Sequence, residues 1–450
     1  MDSPGSQHRR NASVKATRPR SSTKGPLDVP DDSTPAPTLP MRSQSNTPVG
    51  RSSASFASPS RSSIMSTSDS IPVLVDKNFS YLLRPDIYHP LSLLSISPAF
   101  RSEIPTPSPN ETLDTSLATL DKLLDEGHFL LAAHFSATIL TSSPIQQNDH
   151  KTIFSLLYIR LACLELTGNT LLAAQEAKAL EDLSSAFYYV DAKKDEEETA
   201  KDKGQDALAE HIVPWPLRVL ASRLQSIGFG DSRRGIAGLY ELGLEARKRL
   251  SHKGLKDEEK TVWKSRLADL GIRVVNSLIE MGDLDAARRS LANLKTPPKD
   301  QAFETTRMVL LYLKIGDVET ARNLLENSSA EAEGILHCLL DMAEDRYDDA
   351  VAGWEALRAS HIGQEDEALI VQNLAVCLLY TGNLNESRDL LESLVNNNYS
   401  FQSLTFNLAT IYELCSERSR FLKSNLTERI ANQPPSKYKN WERPNADFKI

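Results

Sequence analysis

The sequence predicts an all-α solenoid of antiparallel helix pairs behind a disordered N-terminal tail. Three observations predict it: a turn motif at Gly282 that returns at Gly316, apolar residues at helical spacing on both sides of that turn, and an opening segment, 1–70, too polar to build a core. Bulk composition, 40% apolar and 25% charged, is that of an ordinary globular chain, so the organisation has to be read segment by segment.

Residues 1–70 hold 18 Ser, 6 Thr and 9 Pro, with Phe56 as their one aromatic. Such a stretch buries too little apolar surface to offset its ordering entropy, so it reads as disordered. It carries nine Lys/Arg against five Asp/Glu, a charge of +4, so the rest of the chain holds −9 − 4 = −13. An acidic body excludes nucleic acid as the main expected partner. Ser3, Thr34, Thr47 and Ser58 each precede a proline and are candidate phosphorylation sites; modification there would add negative charge to a basic segment.

Residues 71–109 are apolar but interrupted by Pro85, Pro90 and Pro98, which forbid a long helix. This segment either packs on the first repeats as a cap or orders on a partner. From 110 to 431 the repeat takes over. "MGDLDAARRSL" at 281–291 returns as "IGDVETARNLL" at 315–325. A period of 34 is that of a tetratricopeptide unit, two antiparallel helices joined by a tight turn. In this motif Gly282 and Gly316 end the first helix in a left-handed conformation, and Asp283 and Asp317 cap the second. Ala287 and Ala321 then let the two axes approach.

Gly382-Asn383-Leu384 leading to Ser387 is a third unit, and degenerate units stand at Gly127, Gly168, Gly230 and Asp345-Arg346-Tyr347. A last one, "FNLATIYELCSERS", lacks the glycine. Leu374, Cys377 and Leu378 before Gly382, and Leu390, Leu391 and Leu394 after it, follow the helical spacing of about 3.6. Two charged runs stretch the rhythm, "DAKKDEEETAKDKGQD" within an insertion at 191–210 and "SHKGLKDEEK" after 250; both read as solvated insertions between helices. Residues 432–450 form a C-terminal tail.

No catalytic constellation emerges: there is no phosphate-binding glycine loop with its lysine, no His pair at metal spacing and no nucleophile elbow, so no enzyme activity, cofactor or metal is expected. His337 and Cys338 are neighbours that a helix turns about 100° apart. Cys163, Cys338, Cys377 and Cys415 all sit in apolar stretches and read as small buried hydrophobes of a reducing compartment. No apolar run reaches the roughly 18 to 20 residues of a membrane span, so a cytoplasmic location is expected. Asn373 and Asn407 occupy the same place in consecutive first helices, one repeat period apart, and are candidates for an inner face that grips a peptide or for hydrogen bonds between repeats. One group of tetratricopeptide proteins holds the C-terminal carboxylate of chaperones with such residues, and a co-chaperone or other peptide-binding adaptor is the alternative reading.

The C-terminal strings "NLAVCLLYTGNLNESRDLLESLV" and "SLTFNLATIYELCSERSRFLKSNLTERI" resemble the subunit 12 family of the trafficking protein particle (TRAPP) complex. The resemblance rests on Asn373, Ala375 to Leu378, Tyr380, Gly382 and Ser387, then on Phe406-Asn407-Leu408, Thr410, Tyr412-Glu413-Leu414 and Arg418-Ser419. Weaker echoes, "LYIRLACLELTGN", "VPWPLRVLASRLQ" and "VWKSRLADLGIRVVNSLIEMGDLDAA", precede them in order. The resemblance implies a non-catalytic adaptor of a vesicle-tethering assembly in endoplasmic-reticulum-to-Golgi traffic. Its partners would be other subunits of that assembly, and it would reach the endoplasmic reticulum and Golgi membranes through them.

Overall fold

Helix follows helix through the chain because each apolar stripe is too small to be stable alone and is buried only by its neighbours. The computed structural model describes residues 77–91, 112–142, 145–190, 210–252, 254–294, 301–327, 333–361 and 366–434. All of these belong to one structural unit within 46–450. The tail at 1–70, its four phosphorylation candidates, the run at 191–209 and residues 435–450 lie outside the described residues.

Among the described residues eight helix pairs follow in order. The first four are α1 (Leu113–Glu126) with α2 (Phe129–Ser142), α3 (His150–Leu166) with α4 (Thr170–Glu176), α5 (Trp215–Phe229) with α6 (Ser232–Ser251), and α7 (Asp257–Met281) with α8 (Leu284–Ala292). Then come α9 (Gln301–Ile315) with α10 (Val318–Glu326), α11 (Glu333–Ala343) with α12 (Tyr347–Ser360), α13 (Glu367–Tyr380) with α14 (Leu384–Asn396), and α15 (Gln402–Cys415) with α16 (Ser419–Ala431). Each helix packs mainly on the next in sequence, and first helices of successive pairs also touch, α3 with α5 and α9 with α11. This is the succession of packed helix pairs that the period predicts. Among the described residues there is no strand, only one isolated bridge between Tyr189 and His211.

The turns show why the motif is written as it is. Gly127, Gly168, Gly230, Gly282, Gly316 and Gly382 have φ between 64° and 89°. At Gly282, Gly316 and Gly382 an added Cβ would meet nothing within 4 Å, so the demand is conformational and not steric. Asp345 takes the same left-handed place without being glycine, φ 60°, in the unit whose sequence is degenerate. Capping divides by residue type. Asp283 accepts the Ala286 N–H at 3.0 Å and Asp317 accepts that of Thr320 at 3.3 Å, whereas Asn169 and Asn383 make no side-chain cap bond. Asp317 also receives Arg288 Nε at 2.5 Å, joining α10 to the previous pair; that guanidinium holds its carboxyl below the usual carboxylate range.

The small residues sit where axes meet. Ala287, Ala321 and Ala350 are fully buried. A Cβ on Gly235 would lie 2.7 Å from the Ser226 Cβ, so α5 and α6 pack closer than any larger residue allows. Ser387, also fully buried, keeps its hydroxyl by donating to the Ala375 carbonyl at 2.6 Å.

Two expectations are corrected. "SHKGLKDEEK" is a connection only in its middle: Ser251 closes α6 and Asp257 to Lys260 open α7, so much of the stretch between Gly230 and Gly282 goes into lengthening the two helices, to 20 and 25 residues. Asp257, Glu258 and Glu259 stabilise the start of α7 against the positive end of its dipole. Cys415, expected to be buried, is exposed, because its buried face ends at the helix terminus while Cys163, Cys338 and Cys377 are covered.

The core runs along the stack in three stretches: one around Phe79, Phe154 and Leu217, a second around Leu270, Leu291 and Leu325, and a third around Trp354, Leu374 and Leu391. Helix α5 serves two of them, with Leu217, Leu220 and Leu224 in the first and Val219 in the second.

Candidate functional site

The turn glycines set backbone direction and bring no chemistry together. Asn373, a candidate for gripping a peptide, is 5% exposed and donates its amide to the Leu369 carbonyl of its own helix at 3.0 Å. Its neighbour Gln372 makes the bond between repeats, accepting from the Ser403 hydroxyl at 3.3 Å. Asn407, the matching residue on α15, is half-buried.

Two features that sequence reasoning missed are more elaborate. The first is a buried ion pair beneath the segment 77–91. Glu176, near the end of α4, receives Arg160 Nε and Nη2 of α3 at 2.9 and 2.6 Å, and both side chains are essentially inaccessible. Arg160 also donates to the Ala133 carbonyl at 2.8 Å and to the His89 carbonyl at 2.9 Å. Glu176 in turn accepts the His89 N–H at 2.9 Å. One ion pair therefore satisfies both backbone groups of His89, and the segment is tied to the second helix pair.

Its apolar residues complete the attachment. Phe79 and Leu82 are fully buried, Phe79 making edge contacts with Phe154 and Phe187 at 5.1 and 5.5 Å between ring centres. Tyr188 donates to the Leu180 carbonyl at 2.7 Å and accepts from the Tyr81 hydroxyl at 2.8 Å. Pro85 opens a 3-10 turn, Pro85–Ile87, following the one at Ser80–Leu83, so the prolines shape a cap of short turns. The described part of 71–109 thus packs on the first repeats.

The second feature lies on α5, α6 and α7. Each helix contributes one pair of residues a turn apart: Trp215 and Arg218, Glu245 and Arg249, Trp263 and Arg266. The two indoles meet edge to face with centres 5.4 Å apart. The Arg266 guanidinium lies 4.5 Å from the Trp263 ring centre and 5.2 Å from that of Trp215. Arg218 lies 5.5 Å from the Trp215 ring centre and Arg249 5.7 Å from that of Trp263. Arg218 is bidentate to Glu245, and Arg218 and Arg249 hold that carboxyl below the usual range against the opposing effect of burial. Both tryptophans and Arg266 are half-buried. The one sequence signal was a repeated Trp-x-x-Arg, "WPLR" at 215–218 and "WKSR" at 263–266, whose spacing differs from the repeat period and so escapes a search at that interval.

His211 flanks this cluster. Its Nε2–H donates to the Leu183 carbonyl at 2.9 Å and its Nδ1 accepts the Val213 N–H at 3.0 Å, an arrangement that requires the neutral imidazole. Burial, with Arg218 adding to it, depresses its pKa to about 4. The unfolded imidazole takes its proton near pH 6.5, so acid favours the unfolded chain. Stability is present above pH 6.5 and falls by at most about 3 kcal/mol as pH drops toward 4. Thermal unfolding at pH 7 and pH 5 should show a smaller acid-induced fall for His211→Gln than for the parent chain; equal falls would remove His211 as the cause.

Nucleophilic chemistry finds no support in the three buried cysteines. Burial pushes the Cys338 and Cys377 thiols up to about 11, and that of Cys163 higher, so all three stay protonated at neutral pH. His337 faces Glu333 at 3.8 Å, while the adjacent Cys338 points into the core. Among the described residues no group of three or more His, Cys, Asp or Glu is placed to hold a metal ion, and no helix is long and apolar enough to cross a membrane.

Comparison with known proteins places these features in context. The chain is 26% identical over 253 residues to trafficking protein particle complex subunit 12 of Mus musculus, covering 49% of this chain and 31% of that protein. The same-named protein of Homo sapiens is likewise 26% identical over 253 residues, covering 49% of this chain and 34% of the relative. The chain thus spans about a third of the length of the curated relatives it matches. No family model matches it, and no solved structure matches it.

Proposed function

We propose that this chain is a non-catalytic scaffold subunit of a TRAPP-type vesicle-tethering complex, serving endoplasmic-reticulum-to-Golgi and related traffic. In this reading its partners are other subunits of the complex. It works in the cytoplasm at the surface of those membranes, held there through the assembly.

The observation that carries the reading is the likeness to the two subunit 12 proteins, whose alignments reach across half of this chain. The fold supports it physically. A row of helix pairs in which each unit rests on its neighbours gives a long surface at small cost in core volume, suited to holding several partners at fixed spacing. The raised thiol pKa values agree with a structural role. The co-chaperone alternative draws no support from Asn373, whose amide is already donated within α13.

Copurification on the full-length tagged chain, followed by mass spectrometry, tests the proposal. The expected result is recovery of TRAPP subunits in stoichiometric amounts. Recovery of chaperones without any TRAPP subunit would overturn it.

A further inference from the structure

From the cluster on α5, α6 and α7 we infer a docking surface for an acidic segment of a partner protein, in which Arg266 takes a carboxylate and the paired indoles of Trp215 and Trp263 take an adjoining apolar side chain. The inference goes beyond membership of any complex and does not rest on it.

Charge is the first argument. Three guanidiniums, Arg218, Arg249 and Arg266, converge on two indoles beside the carboxylate of Glu245. Glu245 is already bidentate to Arg218. Among the described residues no carboxylate lies within ion-pair distance of Arg266; Glu245 acts on it only at longer range. Two of the acids opening α7 are engaged elsewhere, Asp257 with Lys260 at 2.9 Å and Glu259 with the Lys256 N–H at 3.3 Å. Arg266 is thus a half-buried cation, with Arg218 and Arg249 raising the electrostatic cost of its charge.

The second argument is chemical type. A guanidinium resting on aromatic faces keeps its planar fork of N–H donors, which matches a carboxylate in two parallel bonds. Partly solvated Trp and Arg side chains are also the residues that dominate binding energy at protein interfaces. A long polyanion such as nucleic acid or an anionic membrane would meet a body of charge −13 around the patch, since −9 for the chain less +4 for residues 1–70 leaves that value. A short acidic segment feels only the local field, screened beyond about 8 to 10 Å at ordinary salt.

The probe is a fluorescein-labelled synthetic peptide, Asp-Glu-Asp-Phe-Glu-Glu-Leu-Asp, titrated with the full chain and followed by anisotropy; its Asn/Gln counterpart is the control. Saturable binding by the acidic peptide is expected, weakening as salt rises and lost with the control peptide. Arg266→Glu should weaken it by about tenfold or more. Arg266→Lys should recover part of that loss, because it keeps the charge without the fork, and Trp263→Ala should lower affinity with the charge intact. Circular dichroism melting establishes that each variant is folded. Equal binding to the parent and Arg266→Glu, no saturable binding by the acidic peptide, or tighter binding of a phosphorylated peptide or anionic vesicle at the same residues would each overturn the inference. Failure to recover TRAPP subunits in copurification would leave it standing.

Discussion

Glu176→Gln is expected to destabilise the chain by about 3 to 5 kcal/mol, the range for removing one partner of a buried ion pair. The amide matches the carboxylate in shape but leaves the Arg160 guanidinium, only 1% exposed, without its counter-charge. Most of the loss is the cost of an uncompensated buried cation, since the intact pair itself is worth little after desolvation. A second effect is local. His89 exchanges both its N–H and its C=O with this pair, so the cap at 77–91 should loosen before the helices do.

Chemical denaturation reads the first effect, and limited proteolysis within 77–91 reads the second. Arg84→Ala provides the contrast. Its partner Asp86 and Arg84 itself are both well exposed, so its removal should leave the denaturation midpoint almost unchanged. Similar losses for Glu176→Gln and Arg84→Ala would contradict the assigned role of the buried pair.

Trp354→Ala is expected to cost about 3 to 5 kcal/mol, as a large aromatic deleted from a closed site. Trp354 is fully buried on α12, in the core shared with Cys338, Ala350, Leu374 and Cys377. That region has no slack to absorb the cavity elsewhere: a Cβ on the neighbouring Gly353 would already stand 2.6 Å from the Cys338 sulfur. Because each pair supports only its neighbours, the damage should be regional. Hydrogen exchange should accelerate in α11 to α14 and leave α1 to α4 protected; uniform acceleration would show that the stack unfolds as one unit. Trp354→Phe, which keeps part of the ring volume, should lose less.

How much of this was legible beforehand varies with the range of the interaction. Gly282, Gly316 and Gly382 could be placed from the sequence, because a left-handed backbone at a helix end is a local requirement that glycine meets without strain. The aspartates at the turns behaved as local chemistry dictates, while Asn169 and Asn383 left the cap bond unmade, a choice of rotamer that spacing does not disclose. "SHKGLKDEEK" misled only in its second half: a charged run without an apolar stripe looks like loop, yet at the start of α7 its acids favour helix through the dipole.

The local rhythm therefore determined the class of this protein by itself: helix pairs, the positions of their turns, and the small residues at their crossings all follow from backbone conformation and helical periodicity. Tertiary structure decided the rest. Arg160 meets Glu176 and His89, and Trp215 meets Arg266, each from a different element of the chain and at separations that match no repeat period. Asn373, expected to bond between repeats or to grip a peptide, instead spends its amide on Leu369 of its own helix. The physical reason is common to all three. Ion pairs, cation–aromatic contacts and burial depend on which helix faces the stack turns toward each other, and that is settled by packing between units, whereas the turns are settled within them.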